Sequence, residues 1–149
     1  MEPFEWNLRV GARDKNLATV FVRNHQFAVG APLQFDQEYP QITSLEYVLG
    51  AIGSDVANGL FTLAKKRRVE VDNVEAVVHG AVNNPLTYLD VVGEEGHPGI
   101  ERIRIQVYAS SVDGEEKVRR VWDEVIAKSP LVRTLQPVIN LELTLKVVF

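Results

Sequence analysis

The spacing of apolar and polar positions changes period several times along this chain, and each change marks an element. Residues 4–10 (FEWNLRV) alternate loosely, as a strand would, and 11–16 (GARDKN) read as a polar turn. Residues 17–22 (LATVFV) predict a second strand, giving a hairpin with Arg13 at its tip. A third strand over 25–29 (HQFAV) ends at Gly30 and Pro32. Residues 31–42 hold two prolines and no helical period, so they read as a connection.

The longest stretch of one period comes next, over 43–68 (TSLEYVLGAIGSDVANGLFTLAKKRR). Leu45, Val48, Leu49, Ile52, Val56, Leu60 and Leu63 make one apolar stripe at helical spacing. Thr43 and Glu46 have the spacing of a capping box, and Lys65, Lys66, Arg67 and Arg68 suit the negative end of the helix macrodipole. About 25 residues make roughly 38 Å of helix. Gly50, Gly53 and Ala57 add a second face that is small rather than polar, so the helix is expected to be buried nearly all round. Interior glycines cost about 1 kcal/mol each against alanine, so another element is expected to come close there. Asp55 is the only charged residue between Glu46 and Lys65.

Residues 71–82 alternate as a strand until Asn83-Asn84-Pro85 breaks them, and 85–99 read as a long surface loop. Residues 100–109 (IERIRIQVYA) are the clearest half-buried strand, with Ile103, Ile105 and Val107 on one face and Arg102, Arg104 and Gln106 on the other. Ser111 to Asp113 offer caps for a helix running to about Lys128, with Val118, Val121, Trp122 and Val125 as its stripe. Ser129-Pro130 has the pattern of an N-cap followed by proline at the first helical position, predicting a short helix over 131–135. Residues 141–149 (LELTLKVVF) close the chain as a strand. This order predicts an α+β protein, one domain over 1–149, with antiparallel sheet and helices gathered on one side.

Composition removes several function classes. The chain has no cysteine, which excludes disulfides, thiolate chemistry, iron–sulfur clusters and cysteine-based zinc sites. A net charge of −4 carries no nucleic-acid footprint, and the basic cluster at 65–68 is better explained by the macrodipole than by phosphate binding. His25, His79 and His97 match no ligand spacing, even with Asp55 or Glu95 added, so no metal or other cofactor is expected. The first ten residues lack the form of a signal peptide. A central aspartate would cost about 2.5–3.5 kcal/mol if 47–64 entered a bilayer, and Ser54 and Asn58 weaken that reading further. A cytoplasmic protein, without membrane or nucleic-acid partners, is the expectation. Trp6, Tyr47, Phe61 and Trp122 are expected in the core or at an interface.

The hairpin with GARDKN, the helix segment LEYVLGAIGSDVANGL, the segment VVGEEGHPGIERIRIQVY and the later IAKSPLVRTL before a final strand together resemble the OsmC/Ohr family, the osmotically inducible protein C and organic hydroperoxide resistance proteins. The resemblance covers nearly the whole chain. It implies an intertwined homodimer whose two long helices cross, with two sites at the subunit interface. It also implies that the family's peroxidatic cysteine falls at Asp55 and its resolving cysteine at Ser129. The family's activating glutamate falls at Leu45, with Glu46 one place along, and its hairpin arginine is kept as Arg13. A dithiol peroxidase needs both thiols, so a cysteine-less member is expected to have lost that activity.

A carboxylate in a buried helix must keep its proton or find a cation. Arg13 is the expected partner of Asp55, on the strength of the resemblance. Three readings stay open: a small-ligand site at the dimer-interface pocket, an enzyme of non-redox chemistry using Asp55 with Arg13 as an acid/base pair, and a scaffold without a site. Ser129 is most simply a helix cap, and Glu46 belongs to the capping box rather than to catalysis.

Overall fold

The computed structural model describes residues 4–14 and 17–148. Lys15 and Asn16 of the expected turn, and Phe149 of the expected last strand, lie outside the described residues. The chain divides into two compact units, Met1–Tyr47 and Val48–Phe149.

The first unit is an antiparallel meander of β1 (Leu8–Asp14), β2 (Leu17–Val22) and β3 (His25–Gly30). The predicted turn at 11–16 is therefore shorter than its polar side chains suggested. Gly11 pairs with Thr19 and Ala12 with Ala18, so the backbone ladder runs on through GARD. Alternation reports side chains, whereas the ladder pairs main chain. The register slips between Ala12 and Asp14, which leaves Arg13 as an unpaired bulge residue on β1 rather than at a loop tip. Val10, Val20 and Phe27 are in register on one face, while on the other the Arg9 guanidinium lies 4.1 Å from the centre of the Phe21 ring. After β3, Gly30 N–H donates to the Ile42 carbonyl at 2.7 Å and returns the chain to the start of the long helix.

That helix, α1 (Ser44–Lys66), begins with the predicted capping box: Thr43 N–H donates to Glu46 Oε1 at 3.0 Å, and Glu46 N–H to Thr43 Oγ1 at 3.2 Å. Tyr47 Oη–H donates to the Ala28 carbonyl at 3.0 Å. Beyond Val48 the helix belongs to the second unit.

There, β4 (Asn73–Val82), β5 (Ile100–Ser110) and β6 (Asn140–Val148) form a sheet in that order. β4 and β5 are antiparallel, whereas β6 runs parallel to β5. A parallel neighbour needs a crossover of a dozen or more residues, supplied here by α3 (Glu115–Lys128) and α4 (Pro130–Leu135). Ile103, Ile105, Val107 and Ala109 of β5 are wholly buried beneath Ile52, Val56, Leu60 and Ala64 of α1 and Val118, Val121, Trp122 and Val125 of α3. Each large side chain so enclosed contributes about 1.5–3 kcal/mol. The predicted α3 stripe and Ile52, Val56 and Leu60 of the predicted α1 stripe supply this core, whereas Val48 of that stripe is exposed.

Two local features differ from expectation. Residues 85–99 are not all loop: Asn84 Oδ1 accepts from Leu86 N–H at 3.1 Å and starts the single turn α2 (Pro85–Tyr88). Ser111 and Asp113 do not cap α3, which starts after Gly114 at φ 92° with no side-chain cap. Instead Ser111 Oγ–H donates to the Glu70 carbonyl and Asp113 Oδ2 accepts from Glu70 N–H at 2.6 Å, clipping the segment after α1.

At the end of α1 the chain closes in a Schellman arrangement, with Val69 N–H donating to the Ala64 carbonyl at 2.9 Å and Arg68 N–H to the Lys65 carbonyl at 3.2 Å. The left-handed residue this requires is Arg68, at φ 58°, where glycine is usual. A non-glycine residue there costs roughly 1–2 kcal/mol.

The helix glycines serve different ends. A Cβ at Gly53 would meet Val78 Cγ2 of β4 at 2.6 Å, so the close approach expected of the small face is an approach to the chain's own sheet. At Gly50 a Cβ meets nothing within 4 Å, and Phe61 is 42% exposed, so within one chain only the inner face of α1 is buried. Gly53→Ala should destabilise the protein by about 1–3 kcal/mol, the usual effect of overpacking; urea unfolding that finds it neutral would mean that β4 gives way.

Candidate functional site

Asp55 lies on the flank of α1, between the buried stripe and the open side, and is half-buried rather than fully enclosed. α4 starts beside it because Ser129 and Pro130 end α3 and begin the next helix. The Ser129 Oγ accepts from Val132 N–H at 3.2 Å, the predicted N-cap, and Pro130 fills the first position. The same hydroxyl donates its proton to Asp55 Oδ2, which also accepts from Leu131 N–H at 3.3 Å. Thus the two residues that the resemblance puts in the cysteine positions, 74 apart in sequence, are joined by a hydrogen bond.

A cavity of about 300 Å³ opens beside this pair, walled by Asp55, Asn58, Thr62 and Lys66 of α1 and by Lys128 and Ser129 of the α3–α4 corner. Both bonds to the carboxylate fall on Oδ2. Among the described residues Oδ1 has no hydrogen-bond partner, so it is available to a donor in the cavity. The hydroxyl of Ser129, by contrast, is engaged on both sides, as donor to Asp55 and as acceptor from Val132. Held this way, the hydroxyl ties α1 to the start of α4.

Arg13 is exposed on β1 in the first unit and lines a cavity of about 230 Å³ with Arg9 and Phe21. Glu46 is committed to the capping box and Leu45 is half-buried on α1. His25 on β3, His79 on β4 and His97 after α2 are all exposed, and His97 Nδ1 accepts from Gly99 N–H at 3.1 Å. Among the described residues no group of three or more His, Asp or Glu side chains is placed to hold a metal ion, and no helix is long and apolar enough to cross a membrane.

Sequence reasoning missed Asn58, Thr62 and Lys66. The signal was present: with Asp55 they fall at i, i+3, i+7 and i+11, a polar stripe one side of the apolar one. Lys128, from a different helix, carried no such signal.

Comparison with known proteins places this geometry in a family. The chain superimposes on the crystal structure of an OsmC-like protein from Mycoplasma pneumoniae with a TM-score of 0.82 at 14% identity, covering 99% of this chain and 100% of that one. An organic hydroperoxide resistance protein from Elizabethkingia anophelis, with crystallant-derived thiocyanate bound, gives 0.72 at 10% identity, over 99% of each chain. The organic hydroperoxide resistance protein OhrB of Bacillus subtilis gives 0.62 at 14% identity, over 96% of this chain and 98% of that one. These likenesses establish the fold. No curated protein matches the sequence. The sequence profile described as OsmC-like protein matches residues 36–144, so the chain belongs to the OsmC family, as a member that contains no cysteine.

Proposed function

We propose that this protein is a homodimeric small-ligand-binding member of its family, with the cavity beside Asp55 as its binding site. Dithiol reduction of hydroperoxides is closed to a chain without thiols. The observation that carries the proposal is the half-committed carboxylate: Oδ2 is fixed by Ser129 and Leu131, Oδ1 has no partner among the described residues, and Asp55 lines a cavity of about 300 Å³. That volume is at the lower end of the range for small-molecule sites. Asp55 offers an acceptor and Lys66 a positive charge, with Lys128 shared with Glu124 at 3.4 Å. The matching ligand presents an N–H or O–H group to Oδ1 and an anionic group to the lysines.

Acid–base catalysis by Asp55 with Arg13 is the alternative. It has less support, because Ser129 is fully engaged and no third group on the cavity wall suggests a reaction class. Arg13 enters the proposal only as a counter-charge to Asp55, which rests on the resemblance. The homodimer draws its support from α1. Gly50, Ser54, Ala57 and Phe61 fall on one side of the helix at i, i+4, i+7 and i+11, with Gly50, Ser54 and Phe61 exposed. A small, partly aromatic face of this kind fits the crossing of a second copy.

Three outcomes follow. In a thermal-shift screen of small amino- and hydroxy-carboxylates, hits on the wild type should lose most of their shift in Asp55→Asn; equal shifts in both proteins would remove Asp55 from the site. A double-mutant cycle of Asp55→Ala and Arg13→Ala, read by urea unfolding, should show coupling of at least about 1 kcal/mol. Additive losses would show that the two side chains do not meet. Gly50→Leu, harmless inside one chain, should weaken the dimer by about tenfold or more in analytical ultracentrifugation, near 1.4 kcal/mol. A wild-type monomer at micromolar concentration, or an unaltered dimer in the variant, would reject the helix crossing.

A further inference from the structure

A second cleft, of about 390 Å³, lies between the end of α1 and the outer side of α3. The sequence suggested only a cluster of cations at 65–68 suited to the helix macrodipole. Folding adds two more from another element: Arg67 and Arg68 face Lys117 and Arg120 across a floor of Val69 and Val121. Among the described residues Glu124 is the one carboxylate on the wall. Its charge is already matched, since Arg67 Nε and Nη2 donate to its two oxygens at 3.0 and 2.8 Å. That bidentate hydrogen bond with Arg67 holds the Glu124 carboxyl well below the usual range, at about 2, with Lys128 adding to it. Arg120 is paired with Glu116 one turn back. Among the described residues Arg68 and Lys117 have no carboxylate partner.

Arg68 carries the argument further. It occupies the left-handed position of the helix end at φ 58°, where a glycine would satisfy the same backbone hydrogen bonds without strain. A strained residue that local structure does not require points to use of its side chain. Three carbonyls of the last turn of α1, which would oppose an anion, are occupied: those of Leu63, Ala64 and Lys65 accept from Arg67, Val69 and Arg68.

We propose that this cleft binds a small oligophosphate. The Arg68 fork and Lys117, both without a carboxylate partner, with the paired Arg67 and Arg120 beside them, suit a chain of phosphates better than a single monovalent anion. Among the described residues no aromatic side chain lines the cleft to stack a base, and the protein's net charge of −4 repels an extended polyanion. Both points favour a short oligophosphate over nucleic acid. The site is separate from the Asp55 cavity and does not depend on it.

Inorganic pyrophosphate, titrated calorimetrically into the full-length protein at ionic strength held constant with sodium chloride, tests the assignment. Saturable binding is expected, weakened about tenfold or more in Arg68→Gly and in Lys117→Gln. Without pyrophosphate, Arg68→Gly should melt above the wild type, because the strain is relieved. That separates lost binding from lost folding. Absence of saturable heat, full affinity in Arg68→Gly, or displacement of pyrophosphate by a single-stranded oligonucleotide at equal phosphate concentration would each overturn the proposal.

Discussion

The constraint on which the second unit depends is the apolar face of one strand. β5 is the middle strand of its sheet, and Ile103, Ile105, Val107 and Ala109 leave no room for solvent beneath α1 and α3. Interiors packed to crystalline density do not slide. Once α1 is seated there, with Gly53 against Val78, the rotation of the helix about its axis is fixed. Asp55 and its polar stripe are then turned toward the corner where α3 hands over to α4. The cavity is a consequence of core packing, although none of its polar residues belongs to the core.

At that corner the fold brings Asp55 and Ser129 into contact. The resemblance places a pair of cysteines there in other members; here a carboxylate accepts a hydrogen bond from a hydroxyl. A hydrogen bond to a charged group is worth about 1.5–3 kcal/mol, so the link between α1 and α4 persists as a structural tie. What disappears is electron transfer, because neither oxygen group can pass through the sulfenate and disulfide states of a thiol. The new pair also differs in symmetry. One oxygen of Asp55 serves the tie and the other is left over, whereas a disulfide leaves no such remainder.

Much of this was legible in the chain. The capping box at Thr43 and Glu46, the stripes of α1 and α3, and the Ser129-Pro130 cap all follow from local chemistry that tertiary structure does not overrule. The misreadings share one cause, that a residue type suited to a role found a different partner in space. Ser111 and Asp113 are good caps, but Glu70, 41 and 43 residues away, takes them both. Asn83-Asn84-Pro85 ends β4 at Val82 as a break should, but the loop expected after it begins with a helical turn that the same Asn-Pro pair opens. The polarity of GARD suggested a turn, yet β1 pairs through it by its main chain. The cavity and the cationic cleft each combine residues of α1 with residues of α3 or its neighbour, and no periodicity within one segment can report such a meeting.

The two helix glycines show where sequence reasoning reaches its limit. Gly50 and Gly53 have the same residue type, the same intrinsic penalty of about 1 kcal/mol, and positions less than one turn apart. Only the packing distinguishes them, one pressed against Val78 and the other facing open space. A glycine tight against its own sheet is explained by the monomer. The second is unexplained inside one chain, as are the exposed Phe61 on the same side of the helix and the strain at Arg68. Unforced penalties of this size, gathered along one helix, are difficult to account for by folding alone, since each could be relieved by a single substitution. They are accounted for if α1 meets something outside its own chain at two places, a second helix along its open side and a polyanion at its end.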